Sequence, residues 1–339
     1  MRSITLMPHR LTNADRIFAL TSAPEVKDAL GLQVDTVDDT IDFLQSVMAE
    51  ERAGQTVSRA ILNEHGELIG ITTLMFIDQE KSTCSLGTWL GHSYWGQGYN
   101  AAAKHAILQI AFAELNLERV FMGARLVNKR SQHAQRKLPF VTCGVEAAYP
   151  DVHAALEKRE KQPCLLNVVH RADFPLLRPA DPKDIPAIQA VARASWHHTY
   201  EGLIPRSVQD TFLDHAYALD QLEQRTRGLF LVAERGGQVV GFAEAALNET
   251  DAVLQAIYLH PDAQGGGIGT RLLDEIIHRL PGISTLTAEM EGGNLSGGRF
   301  YEARGFSCVD EWEEDFLGRT LQTKKMQRIF SPAKKGVSF

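Results

Sequence analysis

Two kinds of apolar pattern alternate along the chain, short uninterrupted runs and longer stretches at helical spacing, and the same alternation occurs twice. In the first half the run Ser85-Leu86-Gly87-Thr88-Trp89-Leu90 predicts a strand. The glycine turn Trp95-Gly96-Gln97-Gly98-Tyr99-Asn100 follows, and then AAAKHAILQIAFAEL, in which Ala103, Ile107, Ile110 and Ala111 share one helical face. In the second half a run from Val253 to Leu259 leads through His260-Pro261-Asp262-Ala263-Gln264 and Gly265-Gly266-Gly267-Ile268-Gly269 into the helical stretch TRLLDEIIHRL. Each half then repeats a strand, an Asn, a helix and a turn ending in Phe. These are Val120 to Ala124, Asn128 and Lys137-Leu138-Pro139-Phe140, against Ser284 to Met290, Asn294 and Ala303-Arg304-Gly305-Phe306.

A repeat of this length predicts two similar α/β domains, and the 339 residues exceed what one core normally holds. The charged stretch LEKREKQ ends before a new strand entry, PLLRPADPKDIPAI, whose prolines suit a strand start and a helix N-terminus. Domains over 1–172 and 173–331 are expected, with a frayed polar tail over 332–339.

Composition narrows the function without naming it. Hydrophobic residues at 44% and charged residues at 23% are globular values. A net charge of -7 argues against a nucleic-acid surface and agrees with a cationic amine as partner. The N-terminus carries no apolar run of signal-peptide length and no stretch is long enough to span a bilayer, so a cytosolic protein is expected. Cys84, Cys143, Cys164 and Cys308 show no metal-binding spacing, so reduced thiols and no metal are expected.

A strand that runs through glycines into a helix aims backbone N–H groups and the positive end of the helix dipole at one point, which suits a phosphate. Glycine is needed because the backbone must approach the anion closely. A P-loop is excluded, since no lysine precedes Thr270, and the dinucleotide pattern is not met from Gly265 or Gly267. What remains, Gln264-x-x-Gly267-x-Gly269, resembles the turn of the GNAT superfamily of acetyl-CoA-dependent N-acetyltransferases. The likeness extends over Trp196-x-x-x-Tyr200-x-Gly202-Leu203-Ile204-Pro205, His260-Pro261, Thr270-Arg271-Leu272-Leu273 and Asn294-x-x-Gly297-x-x-Phe300-Tyr301-x-x-x-Gly305-Phe306. The first half resembles the branch that includes ribosomal-protein N-terminal acetyltransferases, through Tyr94 to Tyr99, Ala113-Glu114-Leu115-x-Leu117-Glu118-Arg119-Val120 and Asn128-x-x-Ser131. It departs at Asn100, where the family has Ala or Gly, at Ser85 for Glu and at Pro139 for Gly.

The resemblance implies two tandem GNAT folds, each a mixed, largely antiparallel central sheet flanked by helices, that pack as an internal pseudo-dimer. It implies acetyl-CoA as cosubstrate, held by Leu259, Gln264, Gly265, Gly266, Gly267, Ile268, Gly269, Thr270 and Asn294. In the first half it implies Gly96, Gln97, Gly98, Tyr99, Asn100, Asn128 and Ser131. The backbone N–H near Leu259 is then the oxyanion donor. Tyr301 is the acid that protonates the departing thiolate, and Ser131 its counterpart in the first half.

A base is needed because a lysine-like amine, with a pKa of about 10.4, is protonated at neutral pH. Glu244, on the apolar strand Val239 to Leu247, and Glu289, on the strand ending at Met290, are both candidates to reach the cleft. By the resemblance Gln255 stands where many relatives carry a strand glutamate, so a water-mediated base is a further alternative. His197 and His198 lie beside the expected acceptor loop. The acceptor, a small-molecule or peptide amine, is expected to meet residues 195–214 in the second half and 24–48 in the first. The alternative is a non-catalytic tandem acyl-CoA sensor or scaffold.

Overall fold

The computed structural model describes residues 3–31 and 35–330. The expected tail, and three residues of the stretch 24–48, lie outside the described residues. The chain divides into two compact units between Leu176 and Leu177, each built on its own seven-stranded sheet.

The first unit runs β1 (Ile4–Met7), α1 (Ala14–Thr21), α2 (Pro24–Leu30), α3 (Val37–Arg52), β2 (Thr56–Asn63), β3 (Leu68–Asp78), β4 (Thr83–Leu90), α4 (Tyr99–Gln109), β5 (Arg119–Arg125), α5 (Lys129–Arg136), β6 (Thr142–Cys143), α6 (Pro150–Glu160) and β7 (Cys164–His170), and its sheet order is β1-β2-β3-β4-β5-β7-β6. The second unit begins with β8 (Leu176–Pro179) and continues α7 (Ile185–Thr199), α8 (Arg206–Ala216), α9 (Leu219–Arg225), β9 (Leu229–Arg235), β10 (Gln238–Asn248), β11 (Asp251–Leu259), α10 (Ile268–His278), β12 (Thr285–Glu291), α11 (Leu295–Glu302), β13 (Ser307–Asp315) and β14 (Thr320–Ile329). Its order is β13-β14-β12-β11-β10-β9-β8.

Each sheet is parted by a parallel joint, β4 with β5 and β11 with β12, and the strands flanking these joints pair antiparallel. A parallel joint needs a crossover, and α4 and α10 supply it. At both joints the ladder is three residues long: Asp251 to Val253 pair with Thr285 to Thr287, and Thr83 to Ser85 with Arg119 to Phe121. Beyond these rungs the strands separate.

Apolar side chains cover both faces of the second sheet. On one side Leu272, Leu273 and Ile276 of α10 pack on Leu254 and Leu286; on the other, Trp196 of α7 and Tyr200 at its end pack with Tyr217, Phe242 and Ala256. Each leucine so buried contributes about 1.5 to 3 kcal/mol. α10 starts where the helical spacing predicts, capped by Gly267 at φ 81°, and it stops just before Pro281. α4 starts the same way behind Gly98 at φ 91°, but a π-turn over Ile110–Glu114 completes the predicted helical stretch. α11 contains Gly297 and Gly298, poor helix formers, and its capping Asn294 holds the Gly297 N–H at 2.8 Å.

Candidate active site

The seam between β11 and β12 opens into a cleft of about 570 Å³. Its floor is the released part of β11, Leu254 to Leu259. One end is the glycine turn, the far side is Asn294, Tyr301 and Arg304 around α11, and the near side is Trp196 and Thr199 of α7 with Tyr200 just after it. Of the residues expected from the sequence, Leu259, Gln264, Gly265, Gly267, Gly269, Thr270, Asn294, Tyr301 and Glu289 line this one space. Gly266 is exposed at the turn, and the Ile268 side chain is in the core behind it.

The turn is shaped for close approach. Gly265 and Gly267 take positive φ, which an L side chain rarely adopts, and a Cβ built on Gly265 or Gly266 meets nothing within 4 Å. The backbone of the turn at Gly265 and Gly266 is therefore open to an approaching group, directly before the N-terminus of α10, as a pyrophosphate site requires. The cleft narrows at Gly269, where a Cβ would stand 3.2 Å from the Phe300 ring. Arg304 braces that wall. Its guanidinium lies 3.8 Å from the Phe300 ring centre, Nη1 donates to the Phe300 carbonyl at 2.7 Å, and Nε donates to Thr270 Oγ1 at 3.1 Å.

Tyr301 is 8% exposed and packs between Phe300 and Phe306. Burial, reinforced by the neighbouring Tyr258, pushes its hydroxyl well above the ordinary tyrosine range, so it holds its proton at neutral pH. Tyr200 is shifted the same way by burial.

The two candidate bases part company. Glu289 is exposed and lines the cleft. Glu244 is buried, and Arg225 chelates it: Nε donates to both carboxylate oxygens at 3.1 and 3.0 Å and Nη2 to one at 2.5 Å. A carboxylate held by three charge-assisted bonds and absent from the cleft lining is an anchor, not a proton acceptor for the cleft. His198 lines the cleft, whereas His197 bonds Asp210 at 2.8 Å. Gln255 is exposed and lines the cleft. Tyr258, a residue the sequence did not single out, also lines it.

The first-unit residues have different neighbours. Tyr99 is a core residue whose hydroxyl donates to Glu64 at 2.8 Å, and Gln97 donates to the Ser93 carbonyl at 2.7 Å. Gly96 and Gly98 keep positive φ. Asn128 caps α5 through the Ser131 N–H at 2.9 Å, as Asn294 caps α11. Asn100 accepts a 2.6 Å bond from the buried Lys104. Gln135, seven residues after Asn128 as Tyr301 is after Asn294, donates to Ser131 Oγ at 3.3 Å and accepts from Asn167 at 2.6 Å. Arg130 lies 3.0 Å from the centre of the Trp95 ring, on the turn itself.

A mixed sheet parted at its parallel joint, with a phosphate-shaped turn at the mouth, defines an acyl-coenzyme A transferase fold. Comparison with known proteins places it further. The acetyltransferase (GNAT) domain model matches residues 3–141 and the acetyltransferase (GNAT) family model residues 193–306. The peptidyl-lysine N-acetyltransferase YjaB of Salmonella typhimurium is 30% identical over 138 residues, which are 38% of this chain and 90% of that protein. The spermidine N(1)-acetyltransferase of Thermoplasma acidophilum is 28% identical over 144 residues, 40% of this chain and 89% of that one. Among solved structures, the PaiA N-acetyltransferase of Thermoplasma acidophilum in complex with coenzyme A is 25% identical, with a TM-score of 0.40 over 46% of this chain and 99% of that one. The chain belongs to the GNAT family, with two such domains in tandem. It is an N-acetyltransferase whose cosubstrate is acetyl-CoA. Among the described residues no group of three or more His, Cys, Asp or Glu is placed to hold a metal ion, and no helix is long and apolar enough to cross a membrane.

Proposed function

We propose that the second unit transfers the acetyl group to a primary amine of a small molecule or peptide, and that the first unit takes no part in the transfer. The observation that carries this is the convergence of the turn, the Leu259 strand end and Tyr301 on one cleft. The turn holds the coenzyme pyrophosphate and the Leu259 backbone N–H meets the developing oxyanion. Tyr301, kept protonated by burial, gives its proton to the departing thiolate. Glu289, exposed in the cleft, is the carboxylate placed to take the proton of the amine.

Names of relatives support an amine acceptor of either size, spermidine for one and a peptidyl lysine for another. The silent first unit is supported by Gln135 at the place of Tyr301 and by the side chain of Asn100, bonded to Lys104, where the second unit has Gly269. Thiol release from acetyl-CoA with a panel of amines tests the reading. We expect Tyr301→Phe to lower kcat by about 10² or more with acetyl-CoA binding unchanged. Unaltered turnover would remove Tyr301 from the mechanism.

A further inference from the structure

A second cavity, of about 420 Å³, opens in the second unit between the loop that joins α7 to α8 and the tip of the β13–β14 hairpin. Glu201, Leu203, Ile204, Arg206 and Gln209 line it from the loop and α8, and Arg319 lines it from the hairpin. It adjoins the cleft. Tyr200 lines the cleft and the next residue, Glu201, lines the cavity, while a Cβ built on Gly293, in the cleft lining, would stand 3.2 Å from Leu203 Cδ2.

Both walls are fixed in place. The Phe316 N–H donates to the Arg319 carbonyl at 2.7 Å and the Arg319 N–H to the Phe316 carbonyl at 3.2 Å, around Leu317 and Gly318 in the positive φ of a tight hairpin turn. The Phe316 ring lies 5.2 Å from that of Phe212 on α8 and 6.3 Å from that of Trp196 on α7, so the tip is seated on two helices. From the other side Gln209 Nε2 donates to the carbonyls of Tyr200 and Ile204 at 3.2 and 2.7 Å and pins the loop.

Two kinds of polar group in this lining lack a counterpart. Arg206 and Arg319 are exposed, and among the described residues neither has an ion-pair partner. Acids close in sequence are engaged elsewhere: Asp210 with Arg193 at 2.7 Å and His197 at 2.8 Å, Glu314 with Thr323 Oγ1 at 2.5 Å, and Asp315 with the Gly318 N–H at 3.2 Å. Two guanidinium groups outweigh the one carboxylate of the lining, Glu201, and suit an anion. Gln209 is 1% exposed, and its Oε1 is buried without a partner, which suits an N–H. A polyamine offers N–H groups but is repelled by the arginines, and a carboxylate or phosphate alone offers charge but no N–H. An acidic peptide offers both.

Resting on the transfer reading above, we propose that this cavity seats the part of a peptide acceptor that follows its reacting amine, with Arg206 and Arg319 holding an acidic side chain and Gln209 Oε1 receiving a main-chain N–H. The acceptor class narrows from amines at large to acidic peptides.

The test is calorimetric titration of four probes into the full chain saturated with coenzyme A: Ala-Glu-Glu and Ala-Gln-Gln, both amidated at the C-terminus, the Ala-Glu-Glu analogue with esters in place of its two internal amides, and spermidine. No turnover is needed for this readout. We expect Ala-Glu-Glu to bind about tenfold tighter than Ala-Gln-Gln and than the ester analogue, and spermidine to bind weakest. Arg206→Gln and Arg319→Gln, both at exposed positions, are each expected to weaken Ala-Glu-Glu by about threefold and together to erase its advantage, with Ala-Gln-Gln unchanged within about twofold. Equal affinity of the acidic and neutral peptides, an acidic preference that survives the double substitution, an ester analogue as tight as the peptide, or no binding of either peptide would overturn the proposal. Absence of thiol release with any amine would instead count against the transfer reading alone.

Discussion

The two glycine turns share a backbone and differ in what lies one helical turn further on. Two residues after the capping glycine stands Gly269 in the second unit and Asn100 in the first; six residues after it stand Leu273, fully buried in the core, and Lys104. Burial brings Lys104 down to about 8. Its partner is Asn100, the residue that replaces the small one at the turn. Asn100 and Lys104 are thus a single polar unit, amide and ammonium, where the second unit has Gly269 and the buried Leu273. Arg130 stacked on Trp95 adds a bulky side chain where the second unit has Ser296 and Gln264. The lesson is that one backbone shape can be surrounded by side chains of quite different size and polarity.

That comparison can be broken most directly at the capping glycines. Gly267→Val and Gly98→Val each force a branched side chain into positive φ, at a cost of about 1 to 3 kcal/mol to its own unit. We expect acetyl transfer to fall by roughly 100-fold in the first variant and to stay unchanged in the second. Equal losses in the two would mean that both turns serve the reaction.

Lys104→Leu, which copies Leu273, should stabilise the first unit by about 2 kcal/mol at pH 7, because it removes a buried charge. The sign with pH follows. A Lys whose folded value is lowered from 10.5 to about 8 is deprotonated first in the folded state, so the natural chain gains stability as pH rises from about 8 towards 10.5. The advantage of the variant should therefore be full below pH 8 and shrink above it, in thermal melts across that range. A constant difference would show that Lys104 is not desolvated.

The smallest expected effects are at the two caps. Asn128→Ala and Asn294→Ala each remove one side-chain bond to a helix amide, worth about 1 kcal/mol. Asn294→Ala should also weaken acetyl-CoA in calorimetry, and Asn128→Ala should not weaken the acetyl-CoA bound by the second unit.

The turns, their helices and both Asn caps were legible because each is a local pattern, a few residues long, with its own stereochemical requirement. So was Tyr301, which shares a helix with its cap. Glu244 was not, since the strand pattern puts it on an apolar face without revealing Arg225 on another helix, and an ion pair across nineteen residues leaves no periodic trace. Tyr258 was hidden by a bulge: read by strict alternation from Ala252 and Leu254 it belongs to the α10 side, and only the slipped register at Gln255, where Glu244 faces Ala256 and Ala245 faces Leu254, moves it. Lys104 falls inside a helical stretch whose apolar face was drawn through Ala103 and Ile107, and its burial follows from packing that the stretch alone does not encode.

The three-rung joint between β11 and β12 has one more consequence. A ladder abandoned part-way leaves main-chain donors and acceptors facing each other across a gap too wide to close, in the middle of a sheet rather than at its rim. An extended molecule with amides of its own, as the arm of coenzyme A has, can supply the absent rungs. Loading the cosubstrate should then knit the two flanks of the sheet together, so that slowed amide exchange appears in Leu254 to Leu259 and in Ala288 to Glu291 at once. The domain behaves as a fabric with an open seam, and its tensile continuity depends on what is threaded through it.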